Sequence, residues 1–249
     1  MSIIENNDFY YFNFENKFIP LIKTLFKQYT FNGELCNIHH ILSYFPDNEV
    51  QDLLKIKIIG NDRNNVFLSD YYRFVDTNPI FINYYKEFII QYIKPLFKNE
   101  TQILYQTTPN LRISFPNSTA IGRTENDDLT SDIVGIHTDG DFGHSNNEIN
   151  FTIPLTEMFD TNSIYFQQSI NSNENLNDFL NLKLNTNQLF MAKFSQIKHY
   201  NRINKTNQTR LSLDFRVMTY SSYNEILQSQ SQSLSSKKRM VIGEYFSLI

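Results

Sequence analysis

Arg210-Leu211-Ser212-Leu213-Asp214-Phe215-Arg216-Val217 is the stretch on which the fold turns. Side chains along a strand alternate faces. Leu211, Leu213, Phe215 and Val217 therefore take one side, and Arg210, Ser212, Asp214 and Arg216 the other. An ordinary half-buried strand sends such a polar face to water. The same division recurs far away in the chain, however. Asn150 and Thr152 oppose Ile149, Phe151 and Ile153, and Arg112 and Ser114 oppose Leu111, Ile113 and Phe115. If the chemistry-bearing residues face inward, the economical explanation is a barrel with a polar inner face. Helices would then cover its apolar outer face.

Working outward, residues 101–106, 110–115, 132–139, 147–155, 162–168, 187–194, 197–201 and 210–219 all read as short strands. Each is rich in β-branched and aromatic residues, and clusters of Asn, Asp, Ser and Gly separate them. Many short strands without intervening helices indicate a jelly roll or sandwich. Before residue 100 the texture is helical. Phe18, Leu21, Ile22, Leu25 and Phe26 form a stripe within Lys17–Tyr29, and Glu49–Ile56 is a shorter candidate. Pro79–Phe97 is the longest, with Asn78 as cap and Pro79 at the first helical position. The whole reads as one domain over 1–249, mainly β with N-terminal helices (α+β). Residues 1–100 form a mostly helical part packed on a β core at 101–220. Residues 221–249 comprise a mobile Ser/Gln-rich segment and an apolar tail. Residues 169–186 read as a polar loop with a short helical stretch at Leu176–Leu182.

Composition excludes several function classes. The net charge is −4 and no Lys/Arg block exceeds Lys237-Lys238-Arg239, so nucleic acid is not an expected partner. Cys36 is the only cysteine, which rules out disulfides and Cys-rich zinc sites. The start, MSIIENNDFYYFNF, lacks the basic and apolar regions of a secretory signal, and no apolar run is long enough to span a bilayer. The expectation is a soluble, cytoplasmic protein that acts on a small molecule without membrane contact. Its oligomeric state is left open.

The chemistry starts at His137-Thr138-Asp139, at the end of the candidate strand Ser131–Asp139. Two positions apart on a strand, an imidazole and a carboxylate point the same way and can converge on one metal ion. Alone, His-x-Asp is a weak motif. His199, sixty residues beyond Asp139 and past at least two further strands, supplies a third ligand from across the fold. Two histidines and one carboxylate on one face of an octahedron leave three positions open, as in non-haem Fe(II) oxygenases. Arg210 follows His199 by eleven residues. In Arg-x-Ser, the guanidinium can clamp a carboxylate while the Ser212 hydroxyl adds a hydrogen bond. A dicarboxylate held by Arg210 at one end and chelated to iron at the other describes 2-oxoglutarate.

His137-Thr138-Asp139, His199 and Arg210-Leu211-Ser212 together resemble the 2-oxoglutarate/Fe(II)-dependent oxygenase superfamily. More narrowly, residues 105–220 resemble the branch named for the streptomycin-biosynthesis protein StrG. The stretches that carry this are Tyr105-Gln106, Pro109–Arg112, His137–His144, Glu148–Phe151, Pro154–Thr156, Thr161-Asn162 and Thr209–Arg216. The resemblance implies a double-stranded β-helix (jelly-roll, cupin-like) core, an Fe(II) centre, and consumption of 2-oxoglutarate and O2 with release of succinate and CO2.

The remaining polar residues receive roles on the same frame. Asn150 and Thr152 are candidate contacts to the cosubstrate. Arg112, His144, Asp214 and Arg216 are candidate substrate contacts, with Arg216 paired to Asp214 as a competing arrangement. His144 is expected at the cavity mouth, and Asp141 and Glu148 on the inner face. His39-His40 reads as structural or surface. The expected reaction is hydroxylation of a small polar substrate: a sugar, an amino acid or a natural-product intermediate. Two other classes compete. A cupin-like metal-dependent sugar isomerase or epimerase would use the triad without Arg210 or oxygen. A non-catalytic ligand-binding protein on the same scaffold would release no succinate.

Overall fold

The structure is a computed structural model, and it describes residues 9–47, 66–118, 131–170, 175–223, 232 and 238–249. The candidate helix Glu49–Ile56 and most of the Ser/Gln-rich segment 221–236 lie outside these residues.

The helical elements follow their local signals. α1 is Phe18–Phe26, continued by a 3-10 turn at Lys27–Tyr29. A longer 3-10 stretch runs over Leu35–Tyr44, and α2 is Val66–Thr77. α3, Pro79–Phe88, is capped by the Asn78 side chain, which accepts from the Phe81 N–H at 3.1 Å. It continues as a π turn at Ile89–Ile93 and a 3-10 turn at Lys94–Leu96. Pro95, which lacks an N–H, sits in that last turn. Among the described residues, no helix is long and apolar enough to cross a membrane.

Among the described residues eleven strands follow one another: β1 Phe9–Asn13, β2 Ile103–Gln106, β3 Asn110–Ser114, β4 Ile133–His137, β5 Ile149–Pro154, β6 Ile164–Phe166, β7 Leu180–Asn181, β8 Gln188–Ala192, β9 His199–Arg202, β10 Arg210–Thr219 and β11 Phe246–Leu248. The fold is mostly β, and the pairings between these strands are antiparallel. The larger sheet runs β1-β8-β5-β10-β2-β11, with β3 also on β10. The smaller runs β4-β9-β6-β7.

The alternation in β10 organises both sides of the larger sheet. Leu211, Leu213, Phe215 and Val217 enter one apolar core with Phe18, Phe26, Phe67, Phe81, Tyr85 and Phe88 of the helices. Phe215 stacks on Phe151 of β5 at 5.2 Å and meets the edges of Tyr85 and Phe88. The buried tyrosines spend their hydroxyls on backbone: Tyr71 donates to the Pro109 carbonyl at 2.8 Å, and Tyr85 to that of Gln106 at 2.9 Å. Arg210, Asp214 and Arg216 face the other way, into a cavity whose further lining includes His137, His199 and Asn201 from the smaller sheet. A second apolar cluster, with Phe166 and Ile197 near Phe190 and Phe194, joins the two sheets beside it.

Three expectations are corrected. The stretch 132–139 is not one regular strand. β4 ends at His137, its pairing with β9 shifts register between Val134 and His137, and Gly135 has φ +66°. Asp139 lies beyond the strand, in a 3-10 turn over Asp139–Phe142. The region read as helical opens with β1, which pairs along β8 at the sheet edge. The apolar tail carries β11, paired with β2.

Candidate metal centre

The irregular β4 end sets the geometry of the site. Thr138 caps the turn that follows: its hydroxyl accepts from the Asp141 N–H at 3.2 Å, and the Asp141 carboxylate accepts from the Thr138 N–H at 2.7 Å. The Asp139 and Gly140 N–H groups donate to the carbonyls of Phe194 and Ser195 at 2.8 and 3.2 Å. A Cβ on Gly140 would lie 2.6 Å from the Ser195 oxygen, so only glycine allows this approach. The turn is thereby fastened to the segment after β8, and Asp139 is carried to the histidines by these bonds rather than by strand alternation.

His137, Asp139 and His199 offer ligand atoms that all lie within 4.8 Å of one another. Both histidine Nε2 atoms are 3.7 Å from Asp139 Oδ1. Each ring is oriented from behind. His137 Nδ1 bonds the Gly135 carbonyl, and His199 Nδ1 bonds the Ile197 carbonyl at 3.1 Å. A carbonyl only accepts, so both Nδ1 atoms carry the proton and both Nε2 lone pairs are free for a metal. Phe194 stacks on the His199 ring at 4.2 Å, and Phe142 meets His137 edge-on at 4.8 Å. Burial, then the charge of His137, pulls the His199 pKa down to about 3 against the opposing pull of Asp139. The ring is therefore neutral at physiological pH, as a ligand must be.

Asp139 is held on its other oxygen. Oδ2 accepts from Arg216 Nη2 at 2.6 Å, from Arg216 Nε at 3.1 Å and from Asn150 Nδ2 at 2.6 Å. Burial would raise the Asp139 pKa. Arg216, the His137 contact and the charges of His199 and His144 outweigh it and hold the carboxyl well below its usual range. The carboxylate thus presents Oδ1 alone to the histidines. Two hard oxygen and imidazole donor types, one of them anionic, fit a divalent transition ion with open positions.

Arg210 sits further along the same floor and is 1% exposed. Its Nη1 donates to Asn201 Oδ1 at 2.8 Å and its Nη2 to Ser212 Oγ at 3.2 Å, while Nε has no hydrogen-bond partner. It makes no ion pair among the described residues. Burial lowers its pKa to about 10, opposed by Asp214 and assisted by Arg112. Asp214 compensates that charge only through the Ser212 hydroxyl, so a directly bound anion would stabilise the buried guanidinium further.

The other candidates divide. Thr152, Arg112 and Asp214 line the cavity, and Arg112 Nε reaches Asp214 Oδ2 at 3.4 Å. Ser212 Oγ bridges Arg210 and Asp214. Asn150 also lines the cavity, but its amide nitrogen is committed to Asp139 and only its Oδ1 is unpartnered. Arg216 is not paired with Asp214; it belongs to Asp139, because its side chain leans toward the β4 end. His144 does not project into the cavity, for its Nδ1 bonds the fully buried Glu148 at 2.7 Å. Asp141 is spent on the cap. His39 bonds the Thr209 hydroxyl at 2.9 Å, next to Arg210. Asn201 went unread in the sequence, although it stands two positions after His199 on β9 and shares its face.

An antiparallel two-sheet scaffold with a two-histidine, one-carboxylate site and a buried arginine defines the class of molecule. No family model matches the chain. By sequence it is similar to the streptomycin biosynthesis protein StrG of Streptomyces griseus, 25% identical over 155 residues. The match spans 62% of this chain and 65% of StrG, just under two thirds of that relative. The resemblance to StrG read from the sequence is borne out by this match. Solved structures with some likeness include the non-haem α-ketoglutarate-dependent carbocyclase SnoK from nogalamycin biosynthesis, at TM-score 0.45 and 8% identity, covering 98% of this chain and 92% of SnoK. HygX from Streptomyces hygroscopicus, with nickel and 2-oxoglutarate bound, has TM-score 0.37 and 9% identity, covering 88% and 84%. The non-haem monooxygenase ThoJ, as a nickel complex, has TM-score 0.43 and 13% identity, covering 86% and 74%.

Proposed function

We propose that this chain is an Fe(II)- and 2-oxoglutarate-dependent dioxygenase that hydroxylates a small polar molecule, with release of succinate and CO2. The observation that carries the reading is the buried Arg210, without a direct ion pair among the described residues, in one cavity with the triad. His137 Nε2, Asp139 Oδ1 and His199 Nε2 hold the metal. Arg210, aimed by Asn201 and Ser212, takes the distal carboxylate of 2-oxoglutarate, and Thr152 lines the same space. Arg112 and Asp214, both partly exposed, offer charge of each sign to the substrate. Bound iron supplies dioxygen activation coupled to oxidative decarboxylation of the cosubstrate. The chain's own residues fix ligand geometry, compensate cosubstrate charge and enclose the reacting volume. The two facing antiparallel sheets are read as a double-stranded β-helix, and the enzyme as cytoplasmic.

The test is anaerobic addition of Fe(II) and 2-oxoglutarate to the purified chain, followed by visible absorption. A metal-to-ligand charge-transfer band is expected, and its absence overturns the reading. A metal-dependent isomerase has no use for a buried cation awaiting a carboxylate, and its turnover would persist without oxygen.

A further inference from the structure

Arg216 fastens the metal-binding carboxylate, and something must in turn aim Arg216. Its Nη1 donates to the Tyr245 hydroxyl at 3.1 Å, and that hydroxyl donates to Gln106 Oε1 at 2.9 Å. Gln106 is itself tied down, with its Nε2 on the Thr108 carbonyl at 2.8 Å and on Asn110 Oδ1 at 3.1 Å. Tyr245 is 3% exposed, and its backbone runs straight into β11. On the other flank, Glu148 Oε2 lies 3.7 Å from Arg216 Nε. The guanidinium is therefore gripped between a neutral phenol from the C-terminal tail and a buried acid.

We propose that Tyr245 is a positioning residue: through Arg216 it keeps Asp139 Oδ2 occupied, so that the carboxylate gives the metal one oxygen and leaves the remaining positions open. The idea rests on the metal site proposed above. Its physical basis is geometric. A carboxylate freed at Oδ2 can rotate and chelate with both oxygens, which uses a position that cosubstrate needs. Arg216 spends two N–H groups on that oxygen and a third on Tyr245. Loss of the phenol hydroxyl leaves one Nη1 donor and one Gln106 acceptor unmatched in a buried place. The tail thus acts on the coordination sphere, although no tail residue lines the metal cavity.

Tyr245→Phe deletes the hydroxyl and keeps the ring that packs on Phe246 at 4.8 Å. The probe is Co(II) added to the metal-free full-length chain, with the d–d spectrum and the dissociation constant as readouts. The expected result is about 10-fold weaker Co(II) binding, the low end of what loosening the support of a metal-binding carboxylate produces. The d–d bands should also lose intensity as coordination number rises, with the near-ultraviolet circular dichroism unchanged. An unaltered spectrum and affinity overturn the proposal. If the Phe variant does not fold, Gln106→Leu, which removes the acceptor that aims the phenol, is read by the same two outcomes. Failure of the unsubstituted chain to bind Co(II) would instead count against the metal site itself.

Discussion

Arg210→Met separates cosubstrate recognition from folding. The side chain is 1% exposed, keeps only two hydrogen bonds and has no ionic partner among the described residues. In the unliganded chain its charge is a burden, as the fall of its pKa to about 10 through burial records. An apolar chain of similar length relieves that burden, so folding stability should change by no more than about 1 kcal/mol. Binding behaves oppositely. Removing one partner of a buried charged pair typically costs about 2–5 kcal/mol. At ~1.4 kcal/mol per decade, 2-oxoglutarate should bind roughly 30-fold to several thousand-fold more weakly.

The assay is anaerobic titration of the Fe(II)-loaded protein, with pyruvate as the comparison. Pyruvate carries the same 2-oxo acid but no distal carboxylate. The unsubstituted chain should prefer 2-oxoglutarate by the full factor, and Arg210→Met should bind the two alike. A preference that survives the substitution would refute the anchor. So would a large loss of urea stability in the metal-free variant, because the guanidinium would then have a structural partner.

Two further outcomes follow from the triad. His199 is held neutral down to about pH 3, whereas its unfolded counterpart takes up a proton near 6.5. Between those values the unfolded chain binds the extra proton. Stability of the metal-free protein is therefore full above about 6.5 and falls as pH falls, by at most about 1.4 kcal/mol per unit from this group. Asp139, whose folded pKa is depressed, adds a further loss only below the unfolded value of about 3.9. Urea midpoints from pH 8 to 4 should show this slope, and His199→Gln should flatten it. Asp139→Ala should abolish metal-dependent succinate release, and it leaves the buried Arg216 with the neutral Tyr245 hydroxyl and, as its one counter-charge among the described residues, Glu148 at 3.7 Å. Its urea stability should drop by about 3 kcal/mol, a loss that retained stability would contradict.

The parts of the fold that depend on period alone were legible. β10 runs over Arg210–Thr219 as its alternation indicates, and its polar side does line a cavity. The α3 start was readable because Asn78 and Pro79 act through the backbone next to them. β1 and β11 were not, because Phe9–Asn13 does not alternate in hydrophobicity and the three residues Phe246–Leu248 are too few for a period to register. Each is a strand only because an edge of the larger sheet is there to pair with. The β4 end misled for a related reason. Period two presumes a regular strand, and the Gly135 conformation and the register shift are invisible in residue types. His137 and Asp139 nevertheless meet, through the Thr138 cap and the contacts with Phe194 and Ser195.

That substitution of one mechanism for another explains which site residues were misassigned. Residue types reveal which side chains could ligate a metal or clamp an anion, so the cluster of His137, Asp139 and His199 could be anticipated. Support depends on which inward-facing side chain leans toward which, and that is a property of the closed fold. Arg216 and Asn150 face each other in the pairing of β10 with β5, under the turn that brings Asp139 down. From sequence they look like two more polar groups awaiting a ligand. In the folded chain the Arg216 guanidinium and the Asn150 amide nitrogen are already spent, and what they hold is Asp139 Oδ2. Arg210 differs in one respect: it is a buried cation that lines the cavity and makes no direct ion pair among the described residues. A polar inner face is therefore two populations. Matched groups build the site, and under the function proposed above the cation without an ion pair among the described residues takes the anion.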